Sequence, residues 1–512
     1  MKMFRHLSSV FAIATIAPLA LAATLAATPA IAQADQLPNP DWVALLSDYE
    51  KNYWQAPTDA EHGGKVLDAD TMKLDEDLAV AINHKAAENL DKDGLNAQRK
   101  RALVDSDLQA EEAMPDALGP VLGKYMSEGL KSGKLNAVAD IFSFNVASTY
   151  ASKRAAMHPR PYLNRAESSY GGTNDLAGLP ATLDIKQSPS WLEHVPGYSN
   201  LQKNSSYPSG HTTGAYSWGI ALAGMIPELA PQIMARTSEA GNNRIVLGVH
   251  YPLDIMGGHI AGQYGVATAV SGEKTAQEGA AARAELVDYL TAQCKADNHG
   301  DTLDACITNT GANAANGYRN DFTDAVSTKP VTDRASALAA YKARMTYGFQ
   351  ATGTTGQAPV VPDSAVRMLD NVAAFKSLDS AQKKAVLAAT EGDSGYPLDA
   401  SSQGWARVNL AAAYSAKVTL SADGKNVVKV EPGQAQASVV RETSGINGNN
   451  GGNGNGGSNA GNTGVNNAAG RNPSGTQPLS KTGADVSGIA SAFILIAAAG
   501  VTIMMIRRKH AI

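Results

Sequence analysis

The chain has 512 residues, a formal net charge of −5 and only two cysteines. This charge balance provides no basic field for nucleic acid, so we expect no nucleic-acid binding. Two cysteines permit at most one intramolecular disulfide.

Residues 1–34 are typical of a secretory signal peptide. Lys2 and Arg5 give a positive start, residues 10–27 are uncharged and mostly apolar, and small residues before and at Ala34 offer a cleavage site. An uncleaved anchor helix is the alternative, which the alanine-rich composition disfavours. We therefore predict a secreted protein.

Apolar residues then recur at helical spacing through much of the chain up to residue 270. Helices are predicted over Ala79–Leu90, Leu95–Val104, Ala117–Leu130, Ala137–Ser152, Thr212–Met225, Ile233–Val249 and Ile255–Val270. Gly258 and Gly262 lie four residues apart, where small side chains let two helices approach closely. At least six helices with short links favour an all-α helical bundle. None of these helices is long or apolar enough to span a bilayer.

Two cations stand at a predicted helix end. Lys153 and Arg160 are seven positions apart, about two helical turns, so both can lie on one side of the segment. Pro159 and Pro161 end the helix and hold Arg160 at its mouth. The ordinary alternative for such a pair is a solvated surface.

The stretch Pro208-Ser209-Gly210-His211 leads directly into an apolar run. A turn that feeds a helix start leaves several backbone N–H groups unpaired, and the helix dipole favours negative charge there. Such a turn is an anion seat, most often for phosphate. The four residues alone are a weak signal, since His211 could equally be a surface histidine.

A third stretch contains Arg244, His250 and Asp254. Pro252 suits the first turn of a helix, with His250 just before it and Asp254 just inside it. Asp254 can accept the Nδ1 proton of His250 and leave Nε2 free, although the two could also be a plain capping pair. Arg244 adds a third cation that can neutralise a phosphoryl group.

In this order, the three stretches resemble the three-part signature of the type 2 phosphatidic acid phosphatase superfamily: Lys-x(6)-Arg-Pro, Pro-Ser-Gly-His and Arg-x(5)-His-x(3)-Asp. Ser206–Thr212 is closer still to the signature of the secreted bacterial class A non-specific acid phosphatases. Asn243 stands where Ser usually precedes Arg244, and its amide could still donate to a phosphate oxygen. The resemblance covers residues 40–285 and implies a helical bundle of the acid phosphatase and vanadium haloperoxidase type.

The resemblance also implies a role for each matched residue. His250 is the nucleophile that becomes a phosphohistidine, Asp254 orients it, and His211 is the general acid and later the base. The phosphoryl oxygens are held by Lys153, Arg160, Arg244 and the amides of Ser209 and Gly210. No metal or cofactor is expected, because protein cations can stabilise the charge of the transition state. Three nearby residues match no motif position and are interpreted as structural: Arg154, His158 and His259.

The predicted function is an extracellular acid phosphatase that hydrolyses small phosphomonoesters with broad specificity, because the matched residues contact only the phosphoryl group. A vanadium-dependent haloperoxidase is a second hypothesis, since vanadate mimics phosphate in charge and shape. A surface binding or adhesion protein with an inactive phosphatase domain is the alternative outside enzymes, and the intact set of six residues disfavours it. Lipid or prenyl pyrophosphate substrates are disfavoured by the missing transmembrane bundle.

Residues 35–290 are thus predicted to form the phosphatase domain, and residues 291–445 a mainly helical C-terminal extension. Cys294 and Cys306 are predicted to form a disulfide, which is typical of an oxidising exterior and would contribute roughly 3 kcal/mol. In the extension we predict helices over Ala335–Thr346, Pro362–Ser377 and Ser380–Thr390 and a hairpin over Lys417–Val430.

Residues 446–477 are dominated by Asn and Gly, so we expect a flexible tether. Residues 478–512 then contain an apolar span, 486–506, that is just long enough to cross a bilayer and is followed by a basic tail.

This end resembles a sortase sorting signal of a Gram-positive cell-wall protein. Leu479, Thr482 and Gly483 match it, with cleavage between Thr482 and Gly483, while Ser480 stands where Pro is usual. The partners are then sortase and peptidoglycan. Without a sortase the same tail is a membrane anchor, and either interpretation displays the enzyme on the cell surface.

Overall fold

The computed structural model describes residues 23–24, 32–33, 41–58, 63–143, 147–163, 182–187, 201, 204–311, 317–400 and 403–443. These residues belong to one compact unit that ends at Gly445. Most of the predicted signal peptide, the tether 446–477 and the predicted sorting signal 478–512 lie outside the described residues.

The described part is mostly helical, as predicted. Its N-terminal helices are α1 (Trp42–Leu46), α2 (Asp48–Asn52), α3 (Ala69–Lys85), α4 (Ala97–Ser106), α5 (Ala110–Ala113), α6 (Pro120–Lys131), α7 (Asn136–Ser143) and α8 (Tyr150–Ala156). The later helices are α9 (Gly210–Met225), α10 (Ala230–Val246), α11 (Pro252–Val270), α12 (Glu273–Ala296), α13 (Leu303–Gly311), α14 (Arg334–Thr346), α15 (Ser380–Thr390) and α16 (Leu410–Tyr414). Short 3₁₀ helices cover Pro115–Leu118, Pro227–Leu229, Asp363–Leu369, Ala373–Phe375 and Trp405–Arg407. Within the described ranges, no helix has the length and apolar character needed to cross a membrane.

The strands are few and short. They are β1 (Ala23–Thr24), β2 (Ala32–Gln33), β3 (Trp54–Gln55), β4 (Lys65–Val66), β5 (Val360–Val361), β6 (Lys417–Leu420), β7 (Val427–Glu431) and β8 (Ser438–Arg441). The largest sheet has the order β1-β7-β6-β8, in which β6 pairs antiparallel with β7 and parallel with β8. The β6–β7 pair is the predicted hairpin, and Gly424 in its turn has a φ of +75°.

Helices α9, α10 and α11 form the centre of the bundle. Every residue of α10 is buried, so this helix has no solvent-facing stripe. The predicted close approach at the two glycines of α11 is present. A Cβ at Gly258 would lie 2.7 Å from the Ser209 carbonyl oxygen, and one at Gly262 would lie 2.6 Å from the Cβ of Tyr216. Small residues therefore hold α11 against the start of α9.

The C-terminal extension packs directly on this centre. Asp324 accepts hydrogen bonds from Asn242 of α10 (3.1 Å) and from Arg344 of α14 (3.2 Å). Gln263 of α11 donates to the carbonyl of Val408 (3.2 Å). The extension therefore completes the helical bundle around the buried helices.

Three predicted helices were wrong in detail. The helix predicted over Ala79–Leu90 is observed as Ala69–Lys85, because Asp68 caps its start and accepts from the Thr71 amide. The helix predicted over Ala137–Ser152 is observed only over Asn136–Ser143, and Tyr150 begins the next one. Pro362–Ser377 forms two 3₁₀ turns, because Val372 between them adopts an extended conformation. By contrast, Ser380–Thr390 is confirmed at both ends, with Asp379 and Gln382 as its capping box.

Candidate active site

The anion seat predicted from the sequence is the N-terminus of α9. Ser209 is the N-cap, its hydroxyl accepts from the Thr212 amide (3.2 Å), and its carbonyl accepts from Thr213 (3.0 Å). Among the described residues, this leaves the Gly210 and His211 amides as the first donors without a backbone acceptor. The positive end of the helix dipole lies at the same place.

The Ser209 amide has a different use from the one we predicted. It donates to the carbonyl oxygen of Asp254 at 3.0 Å, so its hydrogen is already committed within the protein. Ser209 therefore ties the start of α9 to the start of α11, while Gly210 supplies an available amide.

His250 and Asp254 meet as their spacing predicts. The Nδ1 of His250 lies 3.0 Å from Asp254 Oδ2, which also accepts from the Tyr251 amide at 2.9 Å. Because a carboxylate accepts, Nδ1 carries the proton, and the lone pair of the ring is on Nε2. Both side chains are buried.

The guanidinium of Arg160 has all five of its N–H donors engaged within the protein. Nε donates to the Asn204 carbonyl (3.0 Å), and Nη2 donates to Asn204 Oδ1 (3.0 Å) and the Ser205 carbonyl (3.2 Å). Nη1 donates to the Val249 carbonyl (2.9 Å) and to His250 Nε2 (3.1 Å). Arg160 therefore donates to Nε2 of His250, the nitrogen that the sequence assigns as the nucleophile.

Lys153 holds the same loop from its other side. Its Nζ donates to the carbonyl oxygens of Ser205 (2.6 Å) and Ser206 (3.2 Å). An ammonium has three donors, so one has no acceptor among the residues that the structure describes. The two cations of the first motif thus fix the backbone that leads into α9.

Asn243 turns its amide away from the role that we expected for it. Its Nδ2 donates to Asp105 Oδ2 of α4 at 2.7 Å, and its Oδ1 has no hydrogen-bond partner among the described residues. The buried Asp105 also binds Arg236, so the position that usually carries Ser here anchors α10 to α4.

His211 is held by a contact that the sequence did not reveal. Its Nε2 lies 3.1 Å from the carbonyl oxygen of Ser106, the last residue of α4. A carbonyl only accepts, so Nε2 carries the proton and Nδ1 is the ring nitrogen left for proton exchange. A main-chain contact between distant segments has no residue-type signal, and sequence reasoning therefore missed it.

The charges of the site act on one another strongly. Burial lowers the pKa of His250 and of His211 well below the usual range, and the nearby cations lower both pKa values further. Burial and the two arginines also lower the pKa of Lys153, while Asp254 raises it. Burial raises the pKa of Asp254, and the Tyr251 amide and the cations oppose that rise. These mutual effects join all six motif residues in one site: Lys153, Arg160, His211, Arg244, His250 and Asp254.

Two further residues lie behind the carboxylate. Ser206 Oγ is 3.3 Å from Asp254 Oδ1, and His158 Nδ1 is 3.0 Å from Ser206 Oγ. His158 was interpreted as structural because it matches no motif position, yet it is connected to the site. His259, by contrast, contacts the Tyr341 hydroxyl (3.1 Å) within the core, in agreement with a structural role.

The remaining predicted sites lie elsewhere. Cys294 of α12 and Cys306 of α13 form a disulfide, with an S–S distance of 2.01 Å. The sorting residues Leu479, Thr482 and Gly483 fall outside the described residues. Within the described ranges, no three His, Cys, Asp or Glu residues are grouped as metal ligands.

Comparison with known proteins gives a family match over the central helices. Residues 138–276 match the model of the PAP2 superfamily. An acid phosphatase from Zymomonas mobilis subsp. mobilis is 45% identical over 60 residues, which are 12% of this chain and 23% of that protein.

Two non-specific acid phosphatases show similar partial matches. The one from Providencia stuartii is 37% identical over 68 residues, 13% of this chain and 27% of its own length. The one from Salmonella typhimurium is 36% identical over 64 residues, 12% of this chain and 26% of its own length. The chain thus matches about a quarter of the length of these relatives.

Proposed function

We propose that this chain, which carries a PAP2 superfamily domain over residues 138–276, hydrolyses phosphate monoesters through a phosphohistidine at His250. The observation that carries the proposal is a buried His–Asp pair beside three cations. Lys153 and two arginines act on His250, and the carboxylate of Asp254 contacts it. Cations grouped around one imidazole favour a phosphoryl group there, because lysine and arginine donate to its oxygens.

In the first step, Nε2 of His250 attacks phosphorus as the bond from phosphorus to the ester oxygen breaks. His211 gives its proton to the leaving oxygen, and the products are an alcohol and phosphohistidine. Asp254 accepts from Nδ1 throughout and stabilises the positive charge on the ring. General acid catalysis of this kind contributes about 10²–10⁴-fold.

In the second step, water attacks the phosphohistidine while His211 removes a proton from it. The bond between phosphorus and Nε2 breaks, and inorganic phosphate and the starting histidine are released. The Gly210 and His211 amides and the three cations stabilise the equatorial oxygens in both steps.

Substrate binding would also set the protonation state of His211. In the free site, the cations lower the pKa of this histidine. A bound phosphoryl dianion offsets their charge and so raises the pKa of His211 in the complex. His211 must be protonated and His250 neutral, so we expect an optimum below neutrality.

The extracellular location and the surface anchor remain proposals from the sequence. They are supported by the N-terminal signal pattern and by the apolar span 486–506 with its basic tail. Broad specificity for small phosphomonoesters is proposed because the residues assembled here all face the phosphoryl group.

The test is hydrolysis of p-nitrophenyl phosphate by the full chain, measured against pH in the presence of a chelator. His250→Ala should abolish turnover, and His84→Ala is the matched control, because His84 binds the Asp184 carbonyl away from the site. Rapid quenching should trap a base-stable, acid-labile phosphoryl adduct in the wild type and none in His250→Ala.

A folded wild type without phosphatase activity would overturn the proposal. The same protein would then be loaded with vanadate and assayed for halide oxidation by peroxide. Inactivity in that assay as well would favour a binding protein.

A further inference from the structure

We propose that Ser206 and His158 are positioning residues for the reaction, because they form with Asp254 a buried chain of hydrogen bonds that holds the catalytic carboxylate. This inference rests on the proposed function at His250. It assigns roles to two residues that the motif pattern of this chain leaves without one.

The chain of contacts is continuous and buried. His158 Nδ1 lies 3.0 Å from Ser206 Oγ, which lies 3.3 Å from Asp254 Oδ1. The other carboxylate oxygen, Oδ2, lies 3.0 Å from His250 Nδ1. All four residues are almost completely excluded from solvent, so water does not substitute for any member.

The direction of the hydrogen bonds follows from the chemistry of the groups. An ionised carboxylate only accepts, so the single hydroxyl proton of Ser206 points to Asp254. The Ser206 oxygen then accepts from His158, which must carry its proton on Nδ1. Burial lowers the pKa of His158 to about 3, so its ring is neutral and can occupy this one tautomer at working pH.

His158 is fixed by contacts that are independent of the carboxylate. Its ring makes T-shaped contacts with the rings of Trp54 (4.5 Å between ring centroids) and Tyr251 (5.2 Å). Its carbonyl accepts from the Ser206 amide at 2.8 Å, and its own amide donates to Ser205 Oγ at 3.0 Å. The His158 ring, which donates to Ser206, is therefore held in place.

Groups from several elements surround Asp254. The effect of the Ser206 hydroxyl on this carboxylate must be compared with theirs. Its surroundings comprise Lys153 of α8, Arg160 of the following turn, Tyr49 of α2, Tyr207 before α9, and His250 and Tyr251 before α11. Asp75 of α3 lies close by on the Leu253 amide. Burial raises the pKa of Asp254 to about 7, and the Tyr251 amide, the two cations and the Ser206 hydroxyl oppose that rise. Loss of the hydroxyl would therefore raise the pKa of Asp254 further.

The functional consequence is control of the His250 ring. With Oδ1 held by Ser206, the carboxylate plane is fixed and Oδ2 stays directed at Nδ1. Nε2 is then directed at one position, which is what attack on phosphorus requires. Loss of the hydroxyl would favour the protonated carboxyl, which no longer orients the histidine.

The test compares Ser206→Ala with the adjacent Ser205→Ala in the full chain. Ser205 Oγ contacts the His158 amide and the Tyr207 carbonyl but not the carboxylate. Ser206→Ala should raise the pKa on the acid limb of kcat/KM by about one unit, which is about a tenfold loss below that limb. Ser205→Ala keeps the Ser206 hydroxyl on the carboxylate, so it should shift the limb far less than Ser206→Ala does. Ser206→Thr, which also keeps the hydroxyl, should restore the wild-type limb.

Each outcome separates the two proposals. An inactive wild type contradicts the proposed function, whereas an active wild type with identical acid limbs in all variants overturns the positioning role. If Ser206→Ala does not fold, ¹⁵N NMR of the histidine rings in wild type decides instead, with His158→Asn used for assignment. A proton on His158 Nδ1 supports the proposed series of hydrogen bonds, and a proton on Nε2 alone overturns it.

Discussion

Two clusters of charged residues lie next to each other along α10. They differ in the groups that contact their positive charges. The site cluster contains Lys153, Arg160, Arg244 and Asp254. The structural cluster contains Arg101, Asp105, Asp116, Arg236 and Glu239, and it ties α4 and the turn after α5 to α10.

In the structural cluster, every positive charge has a carboxylate. Arg236 binds Asp105 through both Nη atoms (2.6 and 3.1 Å) and binds Asp116 through Nε (2.8 Å). Arg101 lies 3.4 Å from both Asp116 and Glu239. These carboxylates raise the pKa of Arg236 well above its usual value despite burial. The cluster is complete as it stands.

In the site cluster, the contacts of two cations are with neutral groups. Arg160 and Lys153 donate to backbone carbonyls and to a histidine, and Asp254 is the one carboxylate among the charges that act on Lys153. Burial and the arginines lower the pKa of Lys153 as a result. This difference supports the proposal that the site binds an anion from outside the protein.

Arg236→Met should show the largest effect, and it should be on stability. Removing Arg236 leaves the buried Asp105 without its arginine, while Asp116 keeps Arg101. We therefore expect a loss of about 3–5 kcal/mol in the free energy of unfolding. Urea unfolding followed by circular dichroism measures it. A loss below about 1 kcal/mol would mean that Arg236 does not anchor α10 to α4 as its contacts indicate.

Lys153→Met should show the opposite division of effects. The change removes a charge that its surroundings disfavour, so stability should be unchanged or higher, while kcat/KM should fall about 10²–10³-fold because a donor to the phosphoryl group is lost. Paired urea unfolding and p-nitrophenyl phosphate kinetics test both parts. A strongly destabilised variant would show that Lys153 mainly holds the Ser205–Ser206 loop.

The features that could be predicted from the sequence are those that local spacing determines. His250 and Asp254 lie one helical turn apart, and the contact follows from that spacing. The helix Ser380–Thr390 was predicted with correct bounds because its cap and capping box are local residues. The three motifs also predicted correctly that the cations lie at one site, because each cation lies close to a helix end.

What could not be predicted depends on long-range contacts with groups that have no residue-type signal. The donors of Arg160 are occupied largely by backbone carbonyls about 44 and 89 positions away, which any sequence would supply. Asn243 was expected to face the ligand, but Asp105, 138 positions away, takes its amide. The role of His158 depends on Ser206, and neither distance nor orientation is visible in the sequence.

The smallest expected effect is on the pH dependence of stability, to which the histidines of the site contribute. The folded pKa values of His211 and His250 lie below their unfolded value of about 6.5. Below that pH the unfolded chain binds protons that the folded chain does not, so stability falls as pH falls. The slope is about 1.4 kcal/mol per pH unit for each such histidine. His158 and His259, with pKa values lowered to about 3, add to the slope in the same direction. Three carboxylates oppose it, because their pKa values are raised to about 7 (Glu50 and Asp254) and about 8 (Glu391). The measured slope is the sum of both contributions.

An anion in the site should flatten this slope, because it offsets the cations that lower the pKa of His211. Sulfate is the suitable probe, since it stays a dianion from pH 5 to 7, and urea unfolding over that range with and without it gives the slopes. Lys153→Met corrects for the general stabilisation that sulfate gives any protein. We expect the wild-type slope to fall by up to about 1.4 kcal/mol per pH unit, with no change in Lys153→Met. Equal responses in both proteins would mean that the cations of the site cluster do not bind the anion.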